Sequence, residues 1–333
     1  MPIRNSRRTV LARIAAAAFA AASAAAFAPA HAADDFPNRP IRLVVPFGPG
    51  GSTDVMARII AQQMSKSLGQ QVIVDNKPGG NAIIGTTQVM RSAPDGYTLL
   101  LTTINFGANP ALYREKLPFD PKKDFTHITH LANIPTVLSV HPSVKARTAA
   151  ELIAFGKANP GTLNFGSAGY GTINHLAGEL LKSTAGLNMV HVPYKSGGAV
   201  VQALVAGEIS LLFATTPSAM QFFKSGQLVP LATSGPDPVT QLPGIKPLAT
   251  VVPGFAVNDW QAVVGPAGMP APIVARLNKE ILAALRDPAV VKRMADLGAE
   301  PVGSTPQELT AHVKSEIAKW MKVSDETGMR AQD

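Results

Sequence analysis

Short apolar segments alternate with amphipathic segments along most of the chain. Apolar runs of strand length occur at 41–45, 72–75, 98–103, 137–141, 163–166, 189–193, 209–214, 228–233 and 261–265. Apolar residues recur with helical spacing at 53–67, 85–92, 148–158, 172–185, 197–206, 216–224, 272–286, 288–297 and 305–327. Strands that alternate with helices in this way predict an α/β architecture with largely parallel sheets.

The first predicted strand is followed by the glycine-rich segment PFGPGGSTD at 46–54, which opens the first predicted helix. Such a turn directs backbone N–H groups and the positive end of a helix dipole to one point, which suits a small anion. No lysine follows the glycines, so this is not a Walker A loop, and Thr53 stands where a dinucleotide fingerprint has its third glycine. An ordinary strand-to-helix turn is the alternative interpretation.

A second segment of the same kind, LNFGSAGYGT, occurs at 163–172. Ligands of open α/β sheets bind at the carboxyl ends of strands, and pockets often lie between domains. The two segments therefore predict two α/β lobes, each presenting the N-terminus of a helix to a shared anion-binding cleft. The alternative is that the second segment is only a turn.

The N-terminus has the features of a secretory signal peptide. Four arginines within residues 4–13 precede an alanine-rich apolar run at 14–28, and AHA at 30–32 is a small-x-small cleavage site. We therefore expect export to the periplasm by the Sec or the twin-arginine pathway, with cleavage after Ala32. A retained membrane anchor is the weaker alternative, because the apolar run is short.

Removal of this segment changes the interpretation of the charge. Its four arginines carry half of the formal net charge of +8, which leaves +4 for the remaining chain. That charge, without a basic run that carries interleaved aromatic residues, argues against a nucleic-acid partner. The absence of cysteine from the sequence excludes disulfides, iron–sulfur clusters and thiolate zinc sites.

Several motifs, in a fixed order, resemble one known family. They are PFGPGGSTDVMAR at 46–58, VDNKPGG at 74–80, APDGYTLLLTT at 93–103, NPALY at 109–113, LPFDPKKDF at 117–125, FGSAGYGTINHLAGELL at 165–181, VPYKSGG at 192–198, WQAVVGPAGMPAPIVARLN at 260–278 and LGAEPVGSTPQEL at 297–309. Together they resemble the substrate-binding proteins of tripartite tricarboxylate transporters, the extracytoplasmic solute receptors called the Bug family. The resemblance covers the chain from residue 36 to the C-terminus.

This resemblance implies a type II periplasmic binding-protein fold, in which two α/β lobes close on a ligand. Lobe one would comprise residues 36–134 and 258–333, and lobe two residues 135–257. The family binds small organic anions, mostly carboxylates, without a cofactor or metal, and passes them to a membrane permease or acts as a sensor. We expect a monomer.

The two glycine-rich segments and the resemblance together predict a carboxylate site made of backbone amides and hydroxyl groups. The resemblance also implies that His175 donates to the ligand, whereas Arg58 is expected to pair with Asp54 on the surface of the helix. The candidate ligand-binding residues are Phe47, Gly51, Ser52, Thr53, Asp54, Thr103, Asn105, Ser167, Ala168, Gly169, Gly171, Thr172, His175 and Ala214.

Two departures from the family pattern bear on the ligand. Ala214 and Ser210 stand where relatives often carry acidic or amide residues, so neither provides a carboxylate for a ligand's ammonium group. This favours a plain carboxylate over an amino acid.

An exported hydrolase that uses Ser167 and His175 is the alternative function. The sequence has no Gly-x-Ser-x-Gly, Ser-x-x-Lys or His-Glu-x-x-His motif, and only Glu179 is placed to orient the histidine. A metal site at His175 and Glu179 lacks further ligands.

Overall fold

The computed structural model describes residues 36–331, so the predicted signal peptide at 1–32 lies outside the described residues. The chain divides after Asn38, and every helix and strand given below belongs to the unit that begins at Arg39. Among the described helices, none is long and apolar enough to cross a membrane.

The strands of the described residues form two sheets. They are β1 (Ile41–Val45), β2 (Val72–Asn76), β3 (Thr98–Thr103), β4 (Phe125–Ile134), β5 (Thr136–Val140), β6 (Leu163–Ser167), β7 (Met189–Pro193), β8 (Leu211–Thr215), β9 (Val229–Thr233), β10 (Asp259–Pro266) and β11 (Glu300–Pro301). The first sheet has the strand order β11-β4-β10-β3-β1-β2, and the second has the order β7-β6-β8-β5-β9. The predicted α/β fold with two sheet-centred lobes is confirmed.

Helices connect and cover these strands. They are α1 (Ser52–Leu68), α2 (Ile83–Met90), α3 (Asn105–Tyr113), α4 (Ala149–Ala158), α5 (Ile173–Ala185), α6 (Gly197–Val205), α7 (Thr216–Lys224), α8 (Ala271–Arg286), α9 (Pro288–Asp296) and α10 (Pro306–Thr327). Short 3₁₀ turns lie at Arg114–Lys116 and Leu248–Thr250. Helix α1 follows β1 directly and buries Met56, Ile59, Ile60 and Met64 along one side.

The sheets are mixed, so the prediction of largely parallel sheets is wrong. Strand β1 runs parallel to β2 and β3, and β6 runs parallel to β7 and β8. Strand β10, however, is antiparallel to β3 and β4, and β5 is antiparallel to β8 and β9. Buried strands of either direction read as continuous apolar runs, so the pattern does not reveal direction.

The chain passes between the sheets at two neighbouring places. Strands β4 and β5 are separated only by Pro135, and the segment between β9 and β10 returns the chain to the first sheet. The hydroxyl of Ser234 donates to the carbonyl oxygens of Val257 (2.6 Å) and Thr136 (3.1 Å), which ties both passages together. Domain boundaries at 134/135 and 257/258 are consistent with this arrangement and stay a prediction.

Aromatic side chains fill the cores of both sheets. In the first, the rings of Phe106 and Phe125 meet edge to face with centroids 5.1 Å apart. In the second, Phe213 stacks on Phe255 at 5.7 Å. His127 is buried, and its ring nitrogens bond the Thr310 hydroxyl and the Pro121 carbonyl. Strand β4 is buried along most of its length, so side chains on both of its faces are covered.

Candidate functional site

Four helices begin at one small cavity between the two sheets. Its wall includes residues of the first turns of α1, α5 and α7, the first residue of α6, and the ends of strands in the first sheet. The wall residues are Phe47, Gly51, Ser52, Thr53, Thr103, Ala168, Thr172, Ile173, Asn174, Gly197, Val201, Thr215, Ser218 and Asp259. We call this space, of about 40 Å³, the inner cavity.

Helix α1 presents backbone donors to the inner cavity. Its first helical hydrogen bond runs from Val55 N–H to the Gly51 carbonyl (3.0 Å), so the N–H groups of Ser52 and Thr53 precede the helical ladder. The N-cap residue, Gly51, has no side chain that could occupy them. The Ser52 hydroxyl, which is buried, accepts a hydrogen bond from Gln261 Nε2 at 3.3 Å.

Asp54 holds this turn in shape and does not line the cavity. Its carboxylate accepts hydrogen bonds from Arg58 at 2.9 and 3.0 Å, from Gly50 N–H at 3.1 Å and from Asn76 Nδ2 at 3.1 Å. Burial alone would raise the pKa of Asp54, but these hydrogen bonds hold it below its ordinary value. The expected Asp54–Arg58 pair is therefore present.

Helix α5 supplies the opposite wall. Its N-cap, Thr172, has no side-chain cap bond and turns its hydroxyl to the Gly169 carbonyl at 2.6 Å. Asn174 is anchored because its Nδ2 donates to the Phe213 carbonyl (2.5 Å) and its Oδ1 accepts from Ala168 N–H (3.4 Å). These bonds fix the loop from β6 to α5 against the second sheet.

Helices α6 and α7 complete the second-sheet wall. Ser196 caps α6 by accepting a hydrogen bond from Ala199 N–H at 3.1 Å. Gly197 then packs against Gly51: a Cβ added at Gly197 would lie 3.2 Å from the Gly51 Cα. At α7, the Thr215 and Ser218 hydroxyls bond each other at 2.7 Å. The N-termini of α1 and α6 thus touch across the cavity.

The inner cavity continues into a wider groove of about 360 Å³, which we call the outer groove. Its walls are residues 46–47 and 78–82 beside the first sheet, and 168–169 and 194–195 beside the second. Phe47 and Ala168 line both spaces. Among the described residues that line the outer groove, Lys195 carries a positive charge, and its side chain is exposed.

The structure brings together most of the predicted residues of the two glycine-rich segments. Those on the wall of the inner cavity are Phe47, Gly51, Ser52, Thr53, Thr103, Ala168 and Thr172. Gly169 lines the outer groove. Their contact with a ligand stays a prediction.

Six predicted residues are not among the lining residues of either space: Asp54, Asn105, Ser167, Gly171, His175 and Ala214. Asn105 begins α3, and its side chain bonds the Thr103 hydroxyl (2.9 Å) and the Asn81 carbonyl (3.3 Å). Ala214 is fully buried in the β8 core. Gly171, at φ +70°, allows a close approach to Asn81 and Leu112 that a Cβ would prevent.

His175 is bonded to the loop before α5 and is not among the described wall residues of the inner cavity, so its donation to a ligand stays a prediction. Its Nδ1 accepts a hydrogen bond from Gly171 N–H at 3.1 Å. Burial, followed by the charges of His191 and Lys182, lowers the pKa of His175 to about 3, so the ring is neutral. Ser167 bonds a different histidine: its Oγ lies 2.6 Å from His191 Nε2. The Ser167–His175 pair of the hydrolase alternative is therefore not formed, and Glu179 bonds Lys182 at 3.0 Å.

The sequence interpretation missed seven wall residues: Ile173, Asn174, Gly197, Val201, Thr215, Ser218 and Asp259. The segment before α6 carried a usable signal, because VPYKSGG at 192–198 is a strand end followed by a serine cap and glycines. Asp259 carried no such signal, since it enters the site only through the return of the chain to the first sheet.

Asp259 is 2% exposed and is the acidic residue among the wall residues described. Its Oδ1 accepts a hydrogen bond from Ile104 N–H at 3.3 Å. Two backbone hydrogen bonds lower the pKa of Asp259, but burial has the larger effect and raises it to about 7. Within the described residues, no group of three or more His, Asp or Glu is placed to hold a metal ion.

Sequence comparison identifies a family for this arrangement. Residues 56–329 match the family described as "Tripartite tricarboxylate transporter family receptor". Protein BugT of Bordetella pertussis is 36% identical over 300 residues, which cover 90% of this chain and 92% of BugT.

Solved structures with the same fold agree with that match. The periplasmic binding protein BugD superposes with a TM-score of 0.86 at 33% identity, covering 89% of this chain and 100% of BugD. Rpa4515 of R. palustris, solved with adipate, gives 0.85 at 34% identity, covering 88% and 99%. MatC of Rhodopseudomonas palustris, with bound malate, gives 0.82 at 30% identity, covering 86% and 99%.

This family and this fold are those of solute-binding receptors, and the hydrolase alternative finds no support in either. The resemblance carried by the sequence motifs is confirmed. The chain belongs to the family of tripartite tricarboxylate transporter receptors, within its Bug group.

Proposed function

We propose that this protein is a periplasmic receptor that binds a small organic carboxylate in the inner cavity and presents it to a membrane permease. The convergence of four helix N-termini on one cavity is the observation that carries the proposal. The relatives solved with adipate and malate support the same ligand class.

The charge of the ligand would be balanced by backbone dipoles. None of the described residues on the wall of the inner cavity is lysine, arginine or histidine. The N–H groups of the first turns, together with the hydroxyls of Ser52 and Thr53, are the donors that remain. Such a site suits the two oxygens of one carboxylate better than a large multivalent anion.

The size of the two spaces suggests how a ligand lies. About 40 Å³ accommodates a carboxylate group or a few water molecules, whereas the outer groove has about 360 Å³. We infer that one carboxylate enters the inner cavity and that the rest of the ligand extends past Phe47 and Ala168 into the groove. A second carboxylate would meet Lys195 there, which favours linear dicarboxylates.

Isothermal titration with malonate, succinate, glutarate, adipate and malate tests this function. We expect a dissociation constant in the micromolar range, about −8 kcal/mol, for at least one of these acids. Gly51→Val should abolish binding, because the side chain would fill the space between Gly51 and Gly197. Ala289→Val, at an exposed first turn of α9, is the matched control and should bind normally. Absence of binding to all five acids and to a wider organic-acid screen would contradict the proposal.

Export and transport remain part of the proposal. We infer secretion with cleavage after Ala32, action as a monomer and delivery to a permease of the tripartite tricarboxylate type. Mass determination of the protein released from the periplasm checks the cleavage site, and an intact N-terminus would contradict it. Loss of carboxylate uptake on deletion of a permease gene, with the receptor still present, would identify the partner.

A further inference from the structure

Asp259 is an acidic residue on the wall of a cavity that we assign to a carboxylate. It is the first residue of β10, opposite Ile134 of β4, at the place where the chain re-enters the first sheet. The cavity has a volume of only about 40 Å³, so an anion that fills it would lie near its wall residues, Asp259 among them. Two ionised carboxylates at that separation would repel each other strongly.

The neighbours of Asp259 do not supply a compensating cation. Its hydrogen-bond donors are the backbone N–H groups of Ile104 and Trp260. Among the residues described, no lysine or arginine contributes to its titration. The buried Glu316 of α10 acts on it as a further negative charge.

The other titratable groups near Asp259 are either acids already bonded to other residues or neutral histidines. Glu316 accepts hydrogen bonds from Trp260 Nε1 (3.1 Å) and Trp320 Nε1 (3.2 Å) and pairs with Lys319. Burial lowers the pKa of His130, on β4, to about 4 and also lowers that of His312, on α10. Asp54, on α1, is turned to Arg58.

We propose that Asp259 holds the ligand carboxylate as a neutral acid, with its O–H as donor, so that ligand binding takes up one proton. This inference rests on the proposed function. It makes Asp259 a specificity-determining residue, since the protonated form accepts a carboxylate and the ionised form would instead suit an ammonium group. Burial raises the pKa of Asp259 to about 7 before any ligand arrives, and a nearby carboxylate would raise it further.

The test is titration of the malonate-to-adipate series and malate between about pH 6.5 and 8.5, where these acids stay ionised. For the wild-type protein, we expect affinity to fall by about tenfold per pH unit above the pKa of Asp259. Repeating each titration in buffers of different ionisation enthalpy should show uptake of about one proton per ligand at the upper end of this range.

Asp259→Asn keeps a donor and an acceptor at this position but does not titrate. We expect this variant to bind the same acid with an affinity that does not change with pH, and more tightly than the wild type at about pH 8.5. Asp237→Asn, which changes an exposed acid, is the matched control and should keep the wild-type pH profile. A direct carbon NMR titration of the Asp259 carboxyl, assigned by its loss in Asp259→Asn, gives a readout without ligand.

The outcomes separate this inference from the proposed function. Tight binding of a dicarboxylate that is independent of pH and takes up no proton overturns the role of Asp259 and leaves the receptor function intact. Tighter binding of aspartate than of succinate, lost in Asp259→Asn, also overturns it, because Asp259 then acts as an anion. If none of the acids binds at any pH, the proposed function fails and this inference fails with it.

Discussion

At the scale of single residues, Asp54 shows why an acid can sit in an anion-binding turn. Its carboxylate is shared among Arg58, Gly50 and Asn76, and Asn76 also donates to the Phe47 carbonyl at 3.0 Å. The sequence predicted the Arg58 pair from its i,i+4 spacing, but the Asn76 contact depends on the pairing of β1 with β2. The acid therefore organises the turn, and the backbone is left to meet the ligand.

Arg58→Gln should lower stability more than affinity. The substitution removes a bidentate, charge-assisted bond whose Arg58 side chain is half exposed, so we expect a loss of about 1 kcal/mol in the free energy of unfolding. Arg276→Gln breaks the comparable i,i+4 bond to Glu280 on α8 and is the matched control. A tenfold weaker dissociation constant in Arg58→Gln alone, with unchanged stability, would show that this arginine contacts the ligand.

His175→Asn should retain carboxylate binding within a few-fold, whereas His175→Leu should weaken it at least tenfold. Asparagine still offers an acceptor to Gly171 N–H, and leucine leaves that donor without its partner. Titration calorimetry of both variants checks the expectation. Equal loss in the two variants would instead favour direct donation from the imidazole, as the family resemblance implies.

Asp259 should also make the stability of the ligand-free protein depend on pH. The folded protein keeps a proton up to about pH 7, whereas an unfolded aspartate releases it near pH 4. The proton on Asp259 therefore stabilises the folded state fully below about pH 4, and this stabilisation is lost as the pH rises to about 7. Between about pH 5 and pH 8, urea unfolding should show Asp259→Asn gaining roughly 2–3 kcal/mol relative to the wild type. If the difference in unfolding free energy between Asp259→Asn and the wild type does not change with pH, the pKa of Asp259 lies near its ordinary value.

At the scale of elements, three turns that join a strand to a helix through glycine reach the cavity. Each of these turns can be predicted from residues that are consecutive in the sequence. The turns before α1 and α5 were predicted because apolar strand, glycine, hydroxyl residue and amphipathic helix follow one another within the sequence. The turn before α6 had the same features. By contrast, the direction of β10 and the placement of Asp259 depend on pairing with β3 and β4, which lie more than a hundred residues away.

Gly197→Ala should weaken ligand binding without lowering the melting temperature of the ligand-free protein. Its Cβ would lie 3.2 Å from the Gly51 Cα, so the two turns must separate slightly. The lobes can relax apart when the cavity is empty, and only the ligand-bound form would be strained. A lower melting temperature without ligand, together with unchanged affinity, would contradict this view of the contact.

At the scale of the whole molecule, two lobes meet around a cavity too small for a complete dicarboxylate. The passages at Pro135 and between Ser234 and Val257 lie side by side, held by the Ser234 hydroxyl. We propose that they act as the hinge about which the lobes open to admit a ligand. The family resemblance implies such motion, but the sequence pattern alone does not give its axis.

Ligand binding should reduce the radius of gyration measured by small-angle X-ray scattering. The contact between Gly51 and Gly197 joins the two lobes, and backbone donors on both sides would share one carboxylate. The ligand-free sample is prepared by unfolding and refolding, which removes any ligand that was purified with the protein. If this sample and the ligand-saturated sample have the same radius of gyration, the hinge motion is contradicted.

The central claim is that backbone N–H groups at the starts of several helices hold a ligand carboxylate in the inner cavity. A crystal structure with the tightest-binding dicarboxylate tests it most directly. We expect one carboxylate within about 3 Å of N–H groups in the first turns of α1 and α5, and beside Asp259. A ligand whose carboxylates are held only by lysine or arginine side chains, with the inner cavity filled by water, would contradict the claim.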